Sequence, residues 1–316
     1  MQWMAHVDIQ PSVSDRSFAR PITISAGDAQ PLALTCFEPC PGPVLANVLF
    51  LPGIGVPRRV FRPLGEWLAG RGIRSLSLDY RGVGDSLAAG ALASASLSVW
   101  ATRDATAALA YVRAQFEDDP VLIAHSFAGQ ALGLASELHR VRGAILLGSQ
   151  LAHVHHWHGL NRLRVELFWR VLLPLSSRVS DPIPKWVVGE PLPVGVVREW
   201  ARWGTSGDWL FSHVPDARER FAAFRAPLVA YGAWDDPIAP PSSVDALLAC
   251  FTGTRAKRIA IERGDLPSPS VGHLGLFRRV PGASVWPQFE RFVLECSRPR
   301  ALPCAHATRP AHIRTD

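Results

Sequence analysis

The 316-residue chain predicts an α/β fold: a mostly parallel, doubly wound sheet interrupted once by a helical insertion. Three observations carry that prediction. Short aliphatic runs alternate with segments of helical periodicity over residues 31–150, and again over residues 223–296. Between them, over residues 151–222, the alternation stops in a stretch rich in tryptophan and proline that reads as helices without strands. The composition, 48% apolar and 19% charged with 27 prolines and 25 glycines, fits a globular chain with a large core. It excludes a disordered chain, a coiled coil and a collagen-like repeat.

The elements follow in order. Residues 1–30 read as a loose lead-in. Residues 32–37 (LALTCF) form a strand, and residues 46–51 (ANVLFL) a buried one that stops at Pro52-Gly53. A helix over residues 60–70 places Phe61, Leu64, Trp67 and Leu68 on one face, and Gly72 stops it. Residues 73–78 make the next strand, ending at Asp79. The alanine-rich segment 97–116 is a helix starting from Ser96 or Ser98. After Pro120, residues 121–124 form a short apolar strand that runs into Ser126. Residues 129–138 read as helix and 144–147 as strand. Beyond the insertion come a strand (227–231), a helix (243–251), a strand (258–262) and a final helix (285–296). Residues 297–316 are short of large apolar side chains and read as a disordered basic tail.

The formal net charge of +6 raises a nucleic-acid or membrane-surface partner as a question. Lysine occurs only at Lys185 and Lys257, and no block of like charges forms. Four arginines and one aspartate lie in the tail, so half of the net charge falls outside the expected fold. The reading is therefore of no nucleic-acid partner. No apolar run reaches the roughly 18 residues of a membrane span. The most apolar stretch, residues 167–175, is broken by Arg170 and Pro174. Five scattered cysteines (Cys36, Cys40, Cys250, Cys296, Cys304) complete no zinc pattern and suit reduced thiols in a cytoplasmic protein.

In a parallel sheet, chemistry collects at the carboxyl ends of the strands. Ala124-His125-Ser126-Phe127-Ala128-Gly129 sets a serine between a short apolar strand and a helix. Small neighbours stand at −2 and +2, as a sharp turn that lifts the hydroxyl clear of the backbone demands. Alanine occupies both places where glycine is usual. A second strand end carries Asp235-Asp236, acids able to orient a histidine and stabilise its imidazolium. A third segment, Gly272-His273-Leu274-Gly275, holds a histidine in a glycine-flanked loop. After the early strand, Pro52-Gly53-Ile54-Gly55 can present the Ile54 N–H, and the turn itself the Phe127 N–H, as an oxyanion hole.

Structural roles compete at several of these positions. Ser126 also suits a helix N-cap, His125 suits packing on the strand side of the turn, and Asp79 suits bracing of the Arg81-Gly82 turn. The histidines at 153, 155, 156 and 158 scatter around a helix, with no carboxylate or cysteine beside them, so a histidine-rich lip is favoured over a metal site. Neither a dinucleotide fingerprint nor a phosphate loop occurs, and no cofactor is expected.

Taken together, residues 50–294 resemble the α/β-hydrolase superfamily. The order serine, acid, histidine and the LDYRGVGDS segment (78–86) carry the resemblance. More narrowly the chain is similar to a group of bacterial predicted α/β-hydrolases without an assigned substrate, through EPLPVGVVREWARW (190–203), WDDPIAPP (234–241) and VGHLGLFR (271–278). The resemblance implies an α/β-hydrolase fold with a helical cap over 151–222. It also implies nucleophile, acid and base at Ser126, Asp236 and His273, with Asp236 preferred over Asp235 for the proline four residues later. The expected activity is hydrolysis of a carboxylic ester or thioester with a small, hydrophobic acyl group, water being the second substrate. A serine acyltransferase and a silent ligand-binding member of the fold remain open alternatives. Six tryptophans (Trp157, Trp169, Trp186, Trp200, Trp203, Trp209) in the insertion would pack it onto the core, and any left over would line an acyl pocket.

Overall fold

The computed structural model describes residues 19–39, 42–88 and 90–298. Eight strands form one sheet in the order β1-β2-β4-β3-β5-β6-β7-β8. They are β1 (Ala19–Ser25), β2 (Pro31–Phe37), β3 (Ala46–Leu51), β4 (Ile73–Leu78), β5 (Val121–His125), β6 (Gly143–Leu147), β7 (Leu228–Ala233) and β8 (Ala256–Ile261). From β4 through to β8 all neighbours are parallel, while β1–β2 and β2–β4 are antiparallel. Strands β3, β5 and β6 are buried along their whole length, because helices cover both faces. This explains why they read in sequence as unbroken apolar runs.

Strand order decides where a site can form. The chain leaves β3 for β4 on one side, then returns to place β5 on the other. The ends of β3 and β5 therefore open onto a topological switch point, the crevice where such sheets hold ligands. The loop Pro52–Gly55 and the turn at Ser126 are the two lips of that crevice.

Two expectations from sequence need correction. The lead-in is not wholly loose: Ala19–Ser25 is a strand paired along its length with β2, and Asp28 in the following turn binds Arg81. An edge strand with one exposed face lacks the apolar run that marks the central ones. Residues 129–138 are not one helix but a single turn, α3 (Phe127–Gln130), followed by separate 3-10 turns. A Cβ at Gly133 would collide with the Phe221 ring, so this segment trades helical propensity for close approach.

Elsewhere helix propensity prevails. α1 (Arg62–Ala69) buries Leu64 and Leu68. Ser96 caps the helix that ends in α2 (Ala105–Phe116), its hydroxyl accepting the Val99 N–H at 3.2 Å. In this helix a π turn, Trp100–Asp104, aims Asp104 at the backbone N–H of Arg81 (2.9 Å) and at its guanidinium (2.6 Å). Arg81 is completely buried and also pairs with Asp28 at 2.6 Å.

Between β6 and β7 the described chain is helical apart from one bridge, Ile183 to Leu192. It contains α4 (Gly159–Leu167), α5 (Leu173–Val179), α6 (Val194–Gly204) and α7 (Ala217–Ala222). Trp157, Trp169, Trp209 and Trp203 form a chain of ring contacts at 5.8–5.9 Å and are buried. Most of the tryptophan in this segment is therefore packing. Beyond β7, α8 (Pro241–Leu248) and α9 (Trp286–Ser297) close the layers. Ser297 belongs to α9, one residue beyond the expected end, and residues 299–316 of the basic tail lie outside the described residues. Among the described residues no helix is long and apolar enough to cross a membrane.

The Arg81 cluster yields two stability predictions. Asp104→Ala, which strands a buried guanidinium, is expected to cost about 3 kcal/mol in denaturant unfolding, whereas Arg103→Ala at the exposed rim should cost about 1 kcal/mol or less. The Arg81 hydrogen bond is the main cause that holds the Asp28 carboxyl well below the usual carboxylate range, against the opposing effect of burial. A depressed folded-state value means stability that is present above about pH 4 and lost as acid protonates the group. Unfolding free energy should thus fall less steeply below pH 4 in Asp28→Asn than in wild type.

Candidate active site

β5 ends at His125, and Ser126 follows with φ 51° and ψ −115°. A side-chain-bearing residue held there costs roughly 1–3 kcal/mol, and neighbouring contacts must over-determine it. The Ser126 N–H donates to the Leu147 carbonyl at 2.9 Å, and its own carbonyl accepts the Gly129 N–H at 3.1 Å. A Cβ on Gly129 would strike Ser149 Oγ, and one on Gly53 would lie 2.7 Å from His125 Nδ1 and 2.9 Å from Ser126 Cβ. Glycine at 53 is what lets the β3 loop close against the turn. Ala124 and Ala128 are both buried, so alanine fits where the pattern usually has glycine.

Asp236 and His273 meet on the other side. Asp236 Oδ2 lies 2.8 Å from His273 Nδ1, and Oδ1 accepts the N–H groups of Ile238 (2.9 Å) and Ala239 (3.2 Å). With Nδ1 donating to the carboxylate, Nε2 of the neutral ring is the unprotonated nitrogen. Burial pushes the Asp236 carboxyl up, but the facing His273, through charge and hydrogen bond, and the two N–H donors hold it below its ordinary value. Asp235 has a separate task. Its carboxylate accepts the N–H groups of Val271 (2.8 Å) and Gly272 (2.9 Å), tying down the loop that carries His273.

Gly148 joins the two halves. It follows Leu147, which holds the Ser126 N–H, and a Cβ there would lie 3.0 Å from the His273 ring and 3.2 Å from Asp236 Oδ2. Its φ of 59° also favours glycine. Ser126, His273 and Asp236 thus gather at the carboxyl end of β6. His125 adds a contact that sequence reasoning did not supply: its Nε2 is 3.1 Å from the His273 carbonyl, and the two rings are 4.7 Å apart. Burial, and then the charge of His273, push the His125 imidazole down to about 3, so it is neutral and supports the loop from below.

The oxyanion-hole candidates flank the turn. Phe127 is the first residue of α3, so its N–H is among those with no acceptor inside the helix. Ile54 lies in the loop after β3, beneath the helical segment: a Cβ on Gly55 would lie 2.8 Å from the Val188 carbonyl. Asp79 closes the loop that carries Arg81-Gly82 from its far end. It accepts the backbone N–H groups of Arg58 (2.6 Å) and Asp85 (3.1 Å) and pairs with the Arg58 guanidinium, while Asp104 and Asp28 hold Arg81.

The histidine cluster stacks on itself, with ring centroids 4.0 Å apart for His153–His155 and for His155–His156. His153 Nε2 binds the Gly207 carbonyl at 2.7 Å. Burial, then the charges of its neighbours, push His156 down to about 4. Among the described residues no group of side chains is arranged to hold a metal ion. Cys36 and Cys250 are free thiols, and burial pushes Cys36 up to about 12; Cys40 and Cys304 lie outside the described residues.

Over residues 48–295 the sequence matches the model of the alpha/beta hydrolase family. The chain belongs to that family. Similar solved structures include an esterase domain from a Rhodothermus marinus protein, with 16% identity over 88% of this chain and 98% of the other, at a TM-score of 0.56. A thermophilic esterase from Thermogutta terrifontis is 15% identical over 89% of this chain and all of its own, at 0.59. An esterase from Exiguobacterium antarcticum is 16% identical over 87% of this chain and 99% of its own, at 0.59. At these identities the likeness concerns the fold. A search of curated protein sequences returns no match. Within the alpha/beta hydrolase fold, the site residues of this chain stand after β3, β5, β7 and β8, all at one end of the sheet.

Asp235 gives this site its test. Asp235→Ala removes the acceptor of two N–H groups, each worth about 1.5–3 kcal/mol when the acceptor is charged. Hydrogen exchange should accelerate by at least tenfold (about 1.4 kcal/mol of lost protection) at the Val271 and Gly272 amides, and much less at those of β5. Equal protection in wild type and variant would contradict this role.

Proposed function

We propose that the protein is a serine hydrolase that cleaves a carboxylic ester or thioester of a small, hydrophobic acyl substrate. The observation that carries the reading is the convergence of the strained Ser126 turn with the His273–Asp236 pair at the end of β6. In the first step His273 Nε2 takes the Ser126 proton as Oγ attacks the carbonyl carbon. The carbonyl oxygen gains the negative charge and is held by the Ile54 and Phe127 N–H groups. Asp236 stabilises the imidazolium without taking its proton. The imidazolium then gives the proton to the departing alcohol or thiol, leaving an acyl-Ser126 ester. In the second step His273 deprotonates a water, which attacks the same carbon, and the acid leaves as Ser126 regains its proton.

The segment 151–222 acts as the cap of this site. Its support is in the ties to the catalytic loops: Trp157 Nε1 donates to the Pro237 carbonyl at 2.9 Å, Glu190 pairs with Arg59, and Val188 touches Gly55. No cofactor enters the mechanism, and the scattered cysteines fit a cytoplasmic setting.

A chain-length series of p-nitrophenyl esters tests the reading. Wild-type kcat/KM should rise with acyl length, by up to about fourfold for each methylene that becomes buried. Ser126→Ala should keep its melting temperature, lose labelling by a fluorophosphonate probe, and drop in kcat by at least about 10⁴-fold. A Ser126→Ala protein that still labels and turns over would refute the proposal.

A further inference from the structure

The outer face of the helical segment is apolar. α4, a π turn at Phe168–Leu172, and α5 form one continuous rod over residues 159–179, about 30 Å long. Its inner side buries Trp169, Leu173 and Ser177 against the rest of the segment. Along its outer side run Leu160, Leu163, Leu167, Val171, Leu175 and Val179, each between 44% and 85% exposed. On an ideal helix the four-residue spacing from Leu167 onward would drift by about 40° per step. The wider π turn takes up that drift and keeps the row on one face. Pro174 accounts for the turn: it has no N–H to donate to residue 170, and its ring would press on that carbonyl.

Charge indicates what covers this row. Arg162, Arg164, Arg170 and Arg178 are exposed on the same rod, against Glu166, which pairs with Arg162. Trp186, 78% exposed and next to Lys185, stands in the turn beyond the rod. Aliphatic side chains in line, guanidinium groups beside them and an exposed indole are the composition of a helix that lies in a lipid headgroup layer. A second copy of this chain would bring one net-positive face against another. A surface of anionic lipid neutralises it instead and buries the aliphatic row.

We propose that this face docks the protein on an anionic lipid surface, with the rod lying in the plane of the headgroups. The placement sets the cap, and the catalytic loops tied to it, beside the membrane without any span. It goes beyond the hydrolase reading and does not require it, since docking uses no residue of the Ser126 site.

Co-sedimentation of the full chain with vesicles tests it, with Ser126→Ala run in parallel so that catalysis plays no part. Wild type and Ser126→Ala should partition onto phosphatidylglycerol vesicles at least tenfold better than onto phosphatidylcholine. The surface variant Leu167→Ser/Val171→Ser/Leu175→Ser should lose about a hundredfold in partition, roughly 1 kcal/mol for each aliphatic side chain, while keeping its circular dichroism and its hydrolysis of a soluble ester. Arg170→Gln/Arg178→Gln should lose about thirtyfold on phosphatidylglycerol, from about 1 kcal/mol per basic residue near such a surface, and little on phosphatidylcholine. A wild-type protein left in the supernatant, or a triple-serine variant that binds as wild type does, would overturn the proposal. So would a wild-type dimer in sedimentation velocity that the triple-serine change dissociates, because a second copy would then own the face.

Discussion

Close approach of three strand ends is the constraint on which the site depends, and glycine is the means. A Cβ at Gly53 would push β3's loop away from His125 and Ser126, and a Cβ at Gly148 would press on His273. The positive φ at Ser126 survives only because its N–H is held at Leu147 and the helix after it is held by Gly129 against Ser149. Relaxing any one contact would let the turn fall back toward ordinary dihedral angles. Strain at the serine and space at the glycines are therefore one design, with the sheet supplying the rigidity.

The two adjacent aspartates divide what a single carboxylate could not do. One carboxylate that oriented the His273 ring would leave the loop around it free to move, and an oriented ring on a mobile loop gains little. Asp235 fixes the backbone at Val271 and Gly272, and Asp236 fixes the His273 ring. Neutral His125 closes the remaining side, with its ring against Phe277 and its Nε2 on the His273 carbonyl. Burial keeps the His125 ring uncharged there.

The legible parts of this molecule were those governed by local rules. Buried parallel strands show as apolar runs, as β3, β5 and β6 do. The sharp turn at Ser126 demands small neighbours, and those are visible in AHSFAG. What escaped depends on pairing across distance. β1 is marked as a strand by its register with β2 and not by its own pattern. The break after Gln130 follows from Phe221, which lies some ninety residues later in the chain and takes the space at Gly133. Asp79 and Asp104 are both acids near Arg81 in their elements, and only the fold shows which of them reaches it. The role of Asp235 was hidden for the same reason, because its partners are backbone N–H groups, which leave no trace in sequence.

The helical segment is where these two kinds of information meet. Its tryptophans announce packing, and all but Trp186 of the six do pack, yet the same residues say nothing about which way the remaining face points. The structure gives that direction. Inward, the segment is fastened to the loop after β3, to the loop after β7 and to the helix beginning at Leu97, where Glu199 accepts the Ser98 N–H at 2.8 Å. A segment tied at so many places is poorly suited to swing away as a rigid body, for each tie would have to break at once. The rod over 159–179 exposes its outer row, but its inner side is held by Trp169 against Trp157 and Trp209, by Phe168 against Trp200, and by the Ser177 carbonyl, which accepts the Arg198 guanidinium at 3.0 Å. A surface that bound the outer row would therefore meet a rod already fixed from behind, and docking there would break none of these contacts.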